Sequence, residues 1–262
     1  MITANSPRSI SILQEAFSLL LKHPALFLPK ILIAVLYGFG ILLSTELMKQ
    51  MLSLYTLPKE QIAFSDLQNW FFLAIGLLLL TIISYFVDLF FSALYPIFVN
   101  HALKGKISFL KSINESKPKL VQVFVAGIIL WLLITIFSVL ETGVILFFNL
   151  STLGFAISML VTFAFVFVFY FLFPIIVSKK QGVLNNFKET FSSSFSNKKK
   201  VFLFSLIPFS VSLIKYGVAF FSDSTSGFIL FWGLVLLTGI VYSVHAVVNQ
   251  LLYLKLQKTK KD

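Results

Sequence analysis

The sequence predicts an all-α membrane protein of six spanning helices, built from three repeats of an interfacial amphipathic helix followed by a helical hairpin. Three observations predict it. Mean hydropathy is +0.95, with 58% apolar and only 12% charged residues among 262, whereas about a quarter of a soluble domain is charged. The apolar residues, 32 Phe among them against 8 Pro and 12 Gly, form continuous runs and not the polar–apolar alternation of barrel strands. A short amphipathic stretch ending in lysine precedes a pair of such runs three times, at residues 9–22, 104–119 and 182–200.

Met1 to Arg8 lacks a basic start, an apolar stretch and a small-residue cleavage site, so no removable signal peptide is expected and the first span serves as its own targeting signal. In the first amphipathic stretch Ile10, Leu13, Phe17, Leu20 and Leu21 share one face at helical spacing, opposite Ser11, Gln14, Glu15, Ser18 and Lys22. The second stretch is weaker, with Ile107, Leu110 and Ile113 opposite Lys111, Asn114 and Glu115. The third sets Val183, Leu184, Phe187, Phe191 and Phe195 against Asn185, Asn186, Lys188, Glu189, Ser192 and Ser196. Short helices with one strong apolar face lie in the plane of a membrane interface.

A bilayer core of about 30 Å takes about 20 helical residues at about 1.5 Å each. Six runs meet that length, near 25–45, 70–98, 120–147, 153–177, 201–221 and 228–254. The second and third exceed it, which permits tilt. With their amphipathic stretches the runs form one integral domain of three units, 9–98, 104–177 and 182–254. Tyr95-Pro96-Ile97-Phe98-Val99 matches Phe173-Pro174-Ile175-Ile176-Val177, and Glu15-Ala16-Phe17-Ser18 matches Glu189-Thr190-Phe191-Ser192, a likeness that points to parallel triplication and not to the inverted repeats of many secondary transporters.

Lys and Arg sort between the two sets of loops. Lys104, Lys106, Lys111, Lys179, Lys180, Lys198, Lys199 and Lys200 fall on the same side as Arg8, Lys22 and the basic C-terminal run, while the other side holds Lys49 and Lys59. The positive-inside rule then makes both termini and the two long loops cytoplasmic in a cell inner membrane. The +11 formal charge becomes the charge of one membrane face, and those eight lysines are candidate sites for anionic headgroups. Nucleic-acid binding is not expected, because the lysine runs flank spans and have no interleaved aromatics. The absence of Cys excludes a disulfide framework and a thiolate metal site.

Ionisable residues inside spans are the default functional candidates. They are Asp88, Glu141, Lys215 and His245, with Lys30 near an inner end, where it is expected to snorkel to the cytoplasmic interface. Asp88 and His245 each lie about 15 Å from the inner ends of their helices and share a depth. Glu141 and Lys215 are within reach of each other as a candidate buried ion pair. Such groups admit two readings, pairs that fix helix register or, for Asp88, His245 and Asn249 with Gln250 beside them, a polar cavity suited to a headgroup or a proton. His23 and His101 fall at interfaces, where a solvated imidazole needs no special role. Protease, hydrolase, nucleotide and dinucleotide motifs are absent, and no catalytic residue, metal or cofactor is expected.

The run Phe173 to Val183, with Pro174, the polar Ser178-Lys179-Lys180-Gln181 and Gly182, followed by an amphipathic helix and a basic lead into the fifth span, resembles the YciC-type bacterial inner-membrane proteins. It is also similar to the six-span membrane domains beside some glycerophosphodiester phosphodiesterases. The resemblance implies a multi-pass inner-membrane protein without a defined activity. The expectation is therefore a non-enzymatic lipid-interacting or scaffolding module, with membrane lipids or a membrane protein as partner. The alternatives are a transporter or channel for a small amphiphile or ion around Asp88 and His245, and a membrane enzyme acting on lipids.

Overall fold

The computed structural model describes residues 9–56, 63–105, 107–147, 151–219 and 225–259. Its helices are α1 (Ser9–Lys22), α2 (Leu28–Thr56), α3 (Phe64–Leu103), α4 (Phe109–Phe147), α5 (Ser151–Val168), α6 (Leu172–Ser178), α7 (Val183–Ser196), α8 (Lys198–Ala219) and α9 (Thr225–Thr259). Among the described residues five stretches are long and apolar enough to cross a bilayer, namely Pro24–Thr56, Phe64–Leu103, Phe109–Val144, Ala156–Ser178 and Gly227–Lys258. This is a multi-pass membrane protein. The expected sixth span, 201–221, overlaps α8, whose side chains from 211 onward lie outside the described residues.

Local chemistry sets the element ends. Pro24 forces the residue before it out of the helical region, so His23 leaves α1 at φ −133°, and a single 3-10 turn, Pro24–Leu26, leads into α2. The Asp66 carboxylate accepts the Ala63 N–H at 3.2 Å at the start of α3, satisfying an amide with no intrahelical partner. Gly105, at φ +73°, adopts the left-handed conformation that ends α3.

Two expectations change here. The second amphipathic stretch is not a separate interfacial helix, because Phe109–Phe147 is continuous. Pro118 falls inside it and frees the Asn114 carbonyl, but Asn114 is exposed at the helix's polar end, so the lost bond does not break the helix. The fourth span is two helices, α5 and α6, interrupted at Phe169–Phe171. The hairpin connections are also shorter than expected, since α2 runs to Thr56 and α3 starts at Phe64.

The long helices close a ring. α2 packs on α3, α3 on α4, α4 on α5, α5 on α8, α8 on α9, and α9 returns to α2; α3, α6 and α9 also touch one another inside it. Burial concentrates where α1 lies against α9: Ile12, Ala16 and Leu20 join Leu94, Val99, Phe171, Ile175, Phe204, Val247 and Leu251 in one core. The N-terminal half of α3 and the C-terminal half of α4 instead expose Phe72, Leu78, Ile83, Ile136 and Leu140. So broad an apolar surface fits hydrocarbon and not water.

α7 packs a mixed face, with Val183 and Phe187 partly buried against the core. Asn186, Thr190 and Ser194, spaced four apart, are fully buried, while Leu184, Phe191 and Phe195 are exposed, Leu184 by 72%. Asn186 therefore belongs to the packed face and not to a solvated polar one. Small side chains let helices approach closely, and apolar ones face lipid without cost. In α1 only part of the expected stripe packs inward, since Ile10, Phe17 and Leu21 are exposed while Ile12, Ala16 and Leu19 are buried.

α9 approaches α2 closely at Gly239, where a Cβ would stand 2.8 Å from the Ile31 Cα. Gly239→Ala is expected to destabilise by about 1–3 kcal/mol through overpacking. Gly40→Ala, which meets nothing within 4 Å, gains helix propensity. Thermal melts of the two variants in detergent check this, and equal melting temperatures would refute the close approach.

Candidate functional site

The Lys30 ammonium on α2 donates to Asp88 Oδ1 on α3 at 2.8 Å, with the lysine side chain 12% exposed and the aspartate 33%. Lys30 thus does not snorkel to the interface. A carboxylate on the neighbouring helix satisfies it inside the bundle, because separating the two charges would leave each unpaired in a low-dielectric medium. The ammonium also lies 5.9 Å from the centroid of the Tyr95 ring, within cation–π range. The Tyr95 hydroxyl is held in turn by donation to the Leu26 carbonyl, which ties α3 to the turn before α2.

The pair opens on a cavity of about 300 Å³ whose walls include Lys30, Asp88, Ser92, Tyr170, His245, Asn249 and Gln250. This volume is at the small end of ligand sites. The structure brings Asp88, His245 and Asn249 into one wall, although the hydrogen-bond partner of Asp88 is Lys30 and the His245 ring packs edge-on against Tyr170 at 5.3 Å.

The break in span four belongs to this site. Pro174 has no N–H to give the Tyr170 carbonyl four residues back, and Asn249 Nδ2 on α9 donates to that carbonyl at 2.7 Å. A carbonyl only accepts, so the Asn249 amide is fixed with its NH₂ toward Tyr170. Gln250 Nε2 likewise donates to Asn100 Oδ1 at 3.2 Å. Both amide oxygens, Tyr170 Oη and His245 Nδ1 are buried without a protein partner. Four such atoms in one wall are unusual, since burying a polar atom unsatisfied costs about 1–3 kcal/mol.

The lining positions recur at equal spacing. Asp88 and Ser92 precede Pro96 by eight and four residues, Val166 and Tyr170 precede Pro174 by eight and four, and Tyr242 and Ala246 precede Gln250 by eight and four; all nine line the cavity. Five residues beyond Pro96, Pro174 and Gln250 stand His101, Lys179 and Lys255. Each is paired with a glutamate, His101 with Glu115 at 3.1 Å, Lys179 with Glu189, and Lys255 with Glu15.

His101 is therefore not a solvated interfacial imidazole. It is 9% exposed and sits between Ser112 Oγ at 2.9 Å and Glu115. Among the candidate headgroup lysines, Lys104, Lys111, Lys180, Lys198 and Lys199 are exposed and Lys200 is half-buried. Lys179 is engaged by Glu189, and Lys106 lies outside the described residues. Glu141 accepts from the Ser158 hydroxyl; the Lys215 side chain, its expected partner, also lies outside the described residues. Among the described residues no three His, Asp or Glu side chains converge as metal ligands.

Compared with protein-family models, curated proteins and solved structures, the chain matches none.

Sequence reasoning missed Ser92 and Tyr170. Tyr170 carried a signal, being four residues before a proline inside a span, which marks its carbonyl as needing an outside donor. Lys30→Met or Asp88→Asn alone is expected to destabilise by about 3 kcal/mol, the low end for breaking a buried pair, because Asp88 is partly exposed. Lys30→Met with Asp88→Leu is expected to recover most of that. Equilibrium unfolding of the three variants in micelles decides it, and additive losses in the double variant would refute the pairing.

Proposed function

We propose that this chain is a lipid-interacting inner-membrane protein in which three repeated units surround a central site for the polar head of an amphiphile. The observation that carries the reading is the cavity beside the Lys30–Asp88 pair, with four unpartnered polar atoms in its wall. A small cavity with a few fixed polar groups among apolar walls is the form of a ligand site.

The triplication is supported by the equal spacing of the lining positions and by the three glutamate–base pairs, the last of which joins α9 back to α1. On this reading α8 is the sixth span, and α1, the start of α4 and α7 are the three equivalent amphipathic segments. The lysine asymmetry supports cytoplasmic termini. The exposed basic residues Lys104, Lys111, Lys180, Lys198 and Lys199 would sit among anionic headgroups on that face. The resemblance to YciC-type proteins agrees with such a module and assigns it no reaction.

Native mass spectrometry of the protein released gently from its membrane is expected to retain one amphiphile per chain, lost in the cavity-filling variant Ala246→Phe. A bound protein with no small molecule would favour a scaffold instead. The Cys-free sequence permits a clean topology test. An impermeant maleimide is expected to label Tyr55→Cys on intact cells and Lys180→Cys only after permeabilisation; the reverse pattern overturns the orientation.

A further inference from the structure

We infer that the head accepted by the central cavity is a primary ammonium, as on an aminophospholipid or alkylamine, and not a phosphate or other anion. The inference rests on the reading of that cavity as a headgroup site and adds the chemistry it selects.

Charge comes first. Among the described residues the only Lys, Arg, Asp or Glu side chains in the wall are Lys30 and Asp88, and they are bonded to each other at 2.8 Å. The lysine is the more buried of the two, at 12% against 33%, so the carboxylate is the charge more open to an incoming group. Lys30 is held from two sides, by Asp88 Oδ1 and by the Tyr95 ring. An anion would have to take it from Asp88, leaving a buried carboxylate unpaired, whereas a cation adds to the pair.

Hydrogen-bond sense comes second. The Asn249 amide is oriented by its donation to the Tyr170 carbonyl, and Gln250 Nε2 donates to Asn100 Oδ1. The oxygens of both amides are left buried without partners. An amide oxygen and a carboxylate accept only, and an ammonium offers three donors and no acceptor. The two amide oxygens match an ammonium, the unpartnered Tyr170 hydroxyl can accept from one as well as donate, and charge-assisted bonds to Asp88 would be the strongest available. A trimethylated ammonium has the charge and none of the donors.

The test uses the full-length protein in a mild detergent and native mass spectrometry with lipids of identical acyl chains. Phosphatidylethanolamine is expected to bind about tenfold or more tightly than phosphatidylcholine or phosphatidylglycerol, the loss that follows from one or more missing charge-assisted bonds. Dodecylamine is expected to compete for the site, with dodecyltrimethylammonium and dodecyl phosphate about tenfold weaker by the same count of bonds. These wild-type comparisons need no variant. Asp88→Asn is expected to abolish the preference, and Gln250→Leu, which leaves the ion pair intact, to reduce it.

Phosphatidylglycerol or phosphatidylcholine binding as tightly as phosphatidylethanolamine, and lost in Ala246→Phe, would overturn the ammonium assignment while leaving the cavity reading standing. Binding of every lipid unchanged in Ala246→Phe would overturn the cavity reading itself. Free ethanolamine competing as well as the lipid would overturn the amphiphile and leave a soluble amine as ligand.

Discussion

The rest of the structure depends on one constraint. Inside hydrocarbon, a polar group has only the chain's own atoms to satisfy it. The Lys30–Asp88 pair is the strongest expression of this, joining α2 to α3. The Tyr95 hydroxyl on the Leu26 carbonyl and the Asn249 amide on the Tyr170 carbonyl do the same at smaller scale. In each case a backbone or side-chain group that no helix bond can serve is met by a side chain from another segment. Such contacts orient the helices, because they fail if a helix rotates by a fraction of a turn.

The lipid solvent also removes the usual equation of apolar with inside. α7 buries Asn186, Thr190 and Ser194 and shows Leu184, Phe191 and Phe195 to the outside. Val183 and Phe187 pack inward beside the buried polar residues. With hydrocarbon or the interface on its outer side, little is gained by hiding a phenylalanine, and close backbone approach decides which face packs. Gly239 against Ile31 follows the same logic between α9 and α2.

The cavity gathers four buried polar atoms without a partner on the residues of one wall, and this is where function is best sought. Its wall combines an internally neutral ion pair with buried acceptors that have no partner. Around it, lining residues of three spans are equally spaced ahead of Pro96, Pro174 and Gln250. Pro174 frees the Tyr170 carbonyl, and Asn249, beside Gln250, supplies the amide that meets it.

The sequence by itself determined that this chain is helical and crosses a membrane several times. That information is carried by run length and by the near absence of charge along each run, which the energetics of transfer to hydrocarbon make decisive. It also marked Asp88 and His245 as polar groups at one depth, with Asn249 a turn further along, because distance along a helix is countable. It did not pair Lys30 with Asp88, since a lysine near a helix end has two destinations and only a neighbour's position selects between them. Nor did it tell which face of α7 packs, that the middle amphipathic stretch is one helix with its span, or that span four breaks at Tyr170. Those outcomes were decided by tertiary structure, because each depends on whether a donor, a small side chain or an empty volume lies across from a given residue, and that is a property of the neighbouring helix.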